Sequence, residues 1–271
     1  MRGKTALITG GARGLGRRTA EALAQKGVSV IVNYLNSEKE AFELAGRLEK
    51  EYCIKAAALQ ADVSKPDECE RMVGTILADR KRVDILIHNA GPYISRRKTT
   101  DQYSLEEWNY IIQGNLSSLF YLTRHIVPYM RSNQWGRVIT FGYDRADTAP
   151  GWIYRSAYAA AKTGAVSLTR TIALEEAKYG ITANMICPGD ITLNWKEKTI
   201  GETKDVSDPD TPVGRPGTGE DVARVASFLC EEESGFITGA VIPVCGGKDV
   251  LGKFRQSENA AGPSEDPFPV R

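Results

Sequence analysis

A short apolar run, Thr5–Thr9, breaks into glycine at Gly10-Gly11-Ala12-Arg13-Gly14-Leu15-Gly16. Helical spacing of Leu15, Thr19 and Leu23 then takes over until Gly27 stops it. Strand, glycine turn and helix in immediate succession constrain the fold more than any other stretch, because this is the context of a phosphate-binding loop. Glycines let the backbone approach a pyrophosphate, and the new helix points its unpaired N–H groups at it. The spacing is T-G-x-x-x-G-x-G, which also suits a tight packing turn between strand and helix. At the start of the chain it predicts a dinucleotide site formed by Gly10, Arg13, Gly14, Leu15 and Gly16.

The rest of the chain repeats the pattern. Strands are expected at 28–33, 54–60, 83–87, 136–141, 181–186 and 240–244, and helical periodicity fills the intervals at 37–52, 64–80, 105–130, 156–179 and 219–230. Strands alternating with helices predict an α/β fold, a single Rossmann-type doubly wound parallel sheet with helices on both faces. One domain is expected over 1–251. Residues 192–211 are polar and weakly periodic and form a candidate mobile lid over the substrate. The Pro- and Ser-rich residues 252–271 are expected to be a flexible tail.

In open α/β sheets ligands bind at the C-terminal ends of the strands, so those ends supply the remaining candidates. The second strand ends in Asn33-Tyr34, without the carboxylate that would hold an adenosine 2′-hydroxyl. Arg13 in the glycine turn could meet a 2′-phosphate instead, or remain a solvated loop residue. Together these features favour NADP(H). Asp62-Val63 follow the third strand, where Asp62 could accept a bond from an adenine amino group or simply shape a turn. Asn89-Ala90-Gly91 follow the fourth, and Pro188-Gly189, with Ile191 beyond, the sixth. His88 and His125 read as structural, having no partner motif.

Tyr158 and Lys162 stand four residues apart in SAYAAAKTG, which places both side chains on one helix face. A phenol beside an ammonium is a plausible proton donor; the same pair also fits an ordinary amphipathic helix. Asn115 interrupts the apolar stripe of Trp108, Ile111, Ile112, Leu116, Leu119, Phe120 and Leu122. A buried Asn needs partners, so it either caps a kink or serves the site.

Composition narrows the alternatives. The formal net charge is +1 with no basic block, so nucleic acid is not an expected partner. The five cysteines are scattered without C-x-x-C spacing, which argues for free thiols in a reducing compartment and against a metal site. No apolar run approaches the ~20 residues of a membrane span, and a cytoplasmic protein is expected.

Taken together, TGGARGLG at 9–16, Asp62-Val63, NAG at 89–91, Asn115, Tyr158-x-x-x-Lys162, Pro188-Gly189 and the closing FITGAVIPVCGG resemble the short-chain dehydrogenase/reductase family over about residues 4–250. The VNY after the second strand is similar to the 3-oxoacyl-carrier-protein reductases. The resemblance implies hydride transfer between nicotinamide and a small carbonyl or alcohol substrate. Tyr158 would exchange the proton. Lys162 would bind the nicotinamide ribose and depress the Tyr158 pKa, and Asn115 would hold a relay water. It also implies a homotetramer, with Ala159, Ala160, Ala161, Gly164 and Ala165 allowing close helix approach.

Three departures stand out. Tyr143 occupies the place of the family's catalytic serine. The serine's role would fall to Tyr143, to a hydroxyl such as Thr148 or Ser156, or to no group. Thr192 stands one position early after Pro188-Gly189. Gln134 and Tyr179 replace arginines usual in carrier-protein reductases, so a carrier protein is not an expected partner. The second reading is a nucleotide-binding protein of this fold without turnover, acting as a sensor or subunit.

Overall fold

The computed structural model describes residues 1–249 and 251, so the tail expected at 252–271 lies outside the described residues. Seven parallel strands form one sheet: β1 (Thr5–Ile8), β2 (Ser29–Tyr34), β3 (Ala56–Gln60), β4 (Ile85–His88), β5 (Gly136–Phe141), β6 (Ile181–Pro188) and β7 (Val241–Val244), in the order β3-β2-β1-β4-β5-β6-β7. The order reverses between β1 and β4, which pair as Ala6↔Ile85, Leu7↔Leu86 and Ile8↔Ile87. Diverging connections open a crevice at that switch point.

Period-two alternation sorts each central strand between two cores. Leu7, Leu86 and Val138 face the helices α3 (Pro66–Arg80), α5 (Ser118–Ser132) and α6 (Ser156–Glu176). Ile8, Ile87 and Ile139 face α1 (Gly14–Gln25), α2 (Glu38–Tyr52) and α7 (Gly219–Leu229) on the other side. Burying both faces is what permits continuous apolar strands such as Ala6–Ile8.

The stretch expected as one helix over 105–130 is two helices. α4 (Leu105–Ile112) and α5 are joined by a π-helical turn, Gln113–Ser117, that contains Asn115. Trp108 and Phe120, read as part of the apolar stripe, are exposed, whereas Ile111, Leu119 and Leu122 of the same stripe are buried. The expected lid carries single 3-10 turns at Leu193–Trp195 and Ile200–Thr203. Among the described residues, no helix is long and apolar enough to cross a membrane.

Candidate active site

At the β1 end, the NAG residues clamp the glycine turn. The backbone N–H groups of Asn89 and Ala90 donate to Thr9 Oγ1 at 3.0 and 2.9 Å. Asn89 Nδ2 donates to the carbonyls of Thr9 and Gly10 at 2.9 and 3.0 Å. A Cβ on Gly16 would lie 2.5 Å from the Gly10 carbonyl oxygen, so this close crossing of turn and helix requires glycine. Gly10 and Gly14 both hold φ +58°, a left-handed conformation that glycine adopts at little cost.

Asn33 serves the same turn. It is buried; its Oδ1 accepts from Gly10 N at 3.3 Å and its Nδ2 donates to the Ala61 carbonyl at 3.1 Å. Its side chain therefore fastens the ends of β1, β2 and β3 together. Beyond it a cavity of about 380 Å³ runs past Tyr34, Asp62 and Val63. Asp62 Oδ1 accepts from the backbone and hydroxyl of Ser64 at 2.9 and 2.6 Å, which fixes the carboxylate on that wall. Asn36 and Ser37 also line this cavity; they sit in a connection with no periodicity to single them out. Arg13 lies at the rim, 60% exposed, with its guanidinium 2.5 Å from Glu40 Oε1.

The start of α1 carries an anion supplied by the chain itself. Glu197, from the 192–211 segment, accepts from Gly14 N at 2.7 Å and from Arg17 Nη1 at 3.1 Å. A carboxylate on the unpaired N–H of a helix start next to a guanidinium is the environment a phosphate needs, so the donor set fits a dinucleotide. Sequence spacing gives no hint of Glu197, which lies far along the chain from Gly14.

A second cavity, about 870 Å³, runs from Gly14 and Leu15 past Pro188, Gly189 and Ile191 to Tyr158 and Lys162. Gly189 N is fixed by the Val244 carbonyl at 2.9 Å, which ties this wall to β7. Tyr158 and Lys162 share the cavity-facing side of α6, with Lys162 Nζ 5.6 Å from the Tyr158 ring centre. Burial lowers the Lys162 pKa to about 8. Burial also pushes the Tyr158 phenol well above its ordinary value, with the neighbouring Tyr93, Cys187 and Tyr143 adding to the shift. The expected depression of Tyr158 by Lys162 does not arise in this geometry: removing a phenolate from water raises the phenol, and its neighbours Tyr93, Cys187 and Tyr143 raise it further.

Asn115 is fully buried at the break between two helices, as the kink expectation has it. It lies in the π turn, its Nδ2 donates to the carbonyls of Pro92 and Ile111 at 2.8 and 3.0 Å, and its Oδ1 has no partner among the described residues. A Cβ on Gly91 would meet that oxygen at 2.2 Å, so Gly91 leaves it room. His88 Nε2 lies 2.8 Å from Ser118 Oγ, which donates to the Gly114 carbonyl at 2.8 Å, so the ring donates and braces the π turn. Burial holds His88 neutral, its pKa lowered to about 3. Neither His88 nor His125 lines the two cavities.

Tyr143 presents its ring to the second cavity, but its phenol donates to the Pro150 carbonyl at 3.0 Å. Thr148 donates to the Arg145 carbonyl at 2.9 Å, and Ser156 faces a separate groove beside Pro150 and Thr163. The rings of Tyr93, Trp152 and Tyr143 stand around Tyr158 with centres 5.1, 6.0 and 6.3 Å away. Within the lid, Lys196 lines the cavity, whereas Trp195 packs on the α1–α7 side and Lys198 pairs with Glu202 at 2.6 Å.

Known proteins share this architecture. Residues 10–249 match the family model described as enoyl-(acyl carrier protein) reductase. YtkK from Bacillus subtilis (strain 168) is 48% identical over 253 residues, covering 92% of this chain and 97% of that protein. The 3-oxoacyl-[acyl-carrier-protein] reductase FabG of Haemophilus influenzae is 36% identical, covering 91% of this chain and 98% of its own length. A solved chain from Bacillus thuringiensis superposes with a TM-score of 0.84 at 47% identity, covering 92% of this chain and 99% of its own. On these matches the chain belongs to the short-chain dehydrogenase/reductase family, as an oxidoreductase of its FabG-like branch, and these relatives imply a nicotinamide cofactor.

Proposed function

We propose that this enzyme is an NADP(H)-dependent reductase of a small 3-oxoacyl-type carbonyl. The observation that carries the reading is the phenol of Tyr158, held protonated by burial one helical turn from Lys162 and facing the same cavity as the glycine turn. A protonated phenol suits reduction, in which the carbonyl oxygen must gain a proton.

The bound nicotinamide supplies the hydride. Tyr158 gives its proton to the substrate oxygen as negative charge develops there. Lys162 binds near the cofactor ribose and, when charged, stabilises the phenolate left behind. Asn115 holds the relay water that returns a proton towards Lys162. Gly10, Leu15, Gly16 and the Pro188–Ile191 wall hold the dinucleotide, and the aromatic rings around Tyr158 keep bulk water from the reacting carbon.

The choice of NADP(H) rests on the absence of a carboxylate at Asn33-Tyr34 and on Arg13 at the adenosine end. The Arg13–Glu40 pair is exposed, and such pairs contribute only ~0–1 kcal/mol, so a 2′-phosphate can displace Glu40 at small cost. A homotetramer is supported by exposed apolar side chains on the outer helices: Trp108, Phe120, Leu174 and Phe228, with Phe236 before β7. Of the small residues of α6 named for close helix approach, Ala160 is exposed and the others do not contribute to that argument. Ala159, Ala161 and Ala165 are buried within the subunit, and a Cβ on Gly164 would meet Leu116 at 3.0 Å. Residues 1–251 are read as one domain with 192–211 as its lid, working in the cytoplasm, in keeping with five free cysteines.

Reduction of acetoacetyl-N-acetylcysteamine with NADPH, followed at the nicotinamide absorbance, tests the activity. Direct titration with NADPH and NADH tests the preference, and Arg13→Ala is expected to weaken NADPH binding more than NADH binding. Tight dinucleotide binding with no reduction of any ketone or aldehyde in a panel would overturn the reading and favour a non-catalytic nucleotide sensor.

A further inference from the structure

The family's serine donor has no evident replacement at its own place, since Tyr143 spends its hydrogen on Pro150 and Thr148 and Ser156 do not face the cavity. The site nevertheless contains a second phenol. Tyr93 follows the NAG clamp, lines the cavity with Tyr158 and sets its ring edge-to-face with that of Tyr158, 5.1 Å between centres at 88°.

Its oxygen accepts from Arg155 Nε at 2.6 Å. Arg155 is 5% exposed and is held by the carbonyls of Ser95, Arg96 and Tyr154 at 2.6, 3.1 and 2.9 Å. No carboxylate among the described residues pairs with it, so its charge is directed at backbone carbonyls and at the Tyr93 oxygen. A phenol accepting from a guanidinium has its own O–H polarised and becomes a stronger donor. No described residue takes that hydrogen, and Tyr93 is half-exposed and lines the cavity.

We propose that Tyr93, polarised by Arg155, donates the second hydrogen bond to the substrate carbonyl and so takes over the role of the serine. The proposal rests on the reductase reading above. The reduced nicotinamide provides the hydride that forms the C–H bond, the carbonyl π pair moves to oxygen, and Tyr158 gives that oxygen its proton. Tyr93 keeps its own proton and stabilises the oxyanion before the Tyr158 proton arrives. Arg155 is a positioning residue: it touches neither substrate nor cofactor.

Two measurements test this. In turnover of acetoacetyl-N-acetylcysteamine, Tyr93→Phe is expected to lower kcat by about 10²–10³, the usual consequence of losing one oxyanion donor. NADPH affinity should be unchanged, because the ring and its packing remain. Arg155→Met should lower kcat in the same direction, and the double variant should lose little more than Tyr93→Phe, because the two residues act as one unit. Tyr93→Phe with turnover within a factor of ~3 of wild type would overturn the proposal, since that is far below a donor's contribution.

The infrared band of a ¹³C-labelled ketone carbonyl bound in the oxidised-dinucleotide complex gives a readout without turnover. It should lie lower in wild type than in Tyr93→Phe, and an identical band in both would refute the donor role. If wild type binds the ketone but does not reduce it, the reductase reading fails while the band still decides on Tyr93. If no ketone of the panel binds, both fail.

Discussion

Tyr158 and Tyr143 illustrate how position divides two similar side chains. Both are pushed to higher pKa by burial, but Tyr158 keeps its hydrogen for the cavity while Tyr143 donates to Pro150 and stacks on Trp152 at 5.0 Å. Tyr158→Phe is expected to lower kcat for carbonyl reduction by about 10²–10⁴, the range of a positioned general acid. Dinucleotide affinity, read by calorimetric titration, should stay near wild type because the ring still packs. Tyr143→Phe is expected to leave kcat unchanged and to cost about 1 kcal/mol of stability, the net value of one buried hydrogen bond. A loss of turnover in Tyr143→Phe as large as that of an oxyanion donor would instead return Tyr143 to the serine's role.

The contact between the 192–211 segment and α1 belongs to the scale of elements. Glu197 on Gly14 N satisfies one of the donors a helix start leaves unpaired, and the lid backbone passes so close to α7 that a Cβ on Gly219 would meet the Lys196 carbonyl oxygen at 1.8 Å. Lid and glycine turn are thus one packed unit, and a dinucleotide phosphate has to displace a carboxylate worth ~0.3–1 kcal/mol at that helix start. Glu197→Ala is expected to tighten dinucleotide binding by about two- to fivefold, the same energy read as affinity, and to lower the melting temperature of the cofactor-free protein slightly. Weaker binding in a direct titration would show that Glu197 supports the cofactor. The π turn is the second such device. Its brace runs from His88 through Ser118 to the Gly114 carbonyl, and a Cβ on Gly114 would meet Pro92 Cδ at 2.3 Å. Gly114→Ala is therefore expected to destabilise the protein and disturb Asn115, measured as parallel losses in melting temperature and kcat.

For the whole molecule, two buried bases contribute to the pH dependence of stability. Lys162 has a folded pKa lowered to about 8 from 10.5, so between these values the unfolded chain binds more protons and stability rises with pH. Below about 8 the folded protein carries the full cost of a buried ammonium, on the order of 3 kcal/mol. Lys162→Met is accordingly expected to raise the melting temperature at pH 7 while abolishing turnover, with the stabilisation gone above pH 10.5. His88 has a folded pKa lowered to about 3 from 6.5, so stability falls as pH drops from 6.5 towards 3. His88→Asn should flatten that acid limb in denaturant titrations across pH, and an unaltered limb would place the acid sensitivity elsewhere. Under the proposed function, this lysine is retained at the expense of stability, as is common where a site needs a buried charge.

The sequence by itself determined the layered fold, because burying a strand on both faces demands unbroken apolar runs and covering a sheet demands helices of matching periodicity. Both are local signals, legible in Ala6–Ile8, Ile85–Ile87 and the stripe of α3. It also determined the glycine turn and the Tyr158–Lys162 pair, since a turn and a helix face are fixed by near neighbours. Only the tertiary structure decided what depends on residues distant in sequence: Asn33 spent on fastening three strand ends, Tyr143 turned to Pro150, Glu197 seated on α1, Tyr93 accepting from Arg155, and desolvation raising the Tyr158 phenol. Hydrogen bonds across the chain and exclusion of water arise only when separate elements close on one cavity, and no periodicity records them.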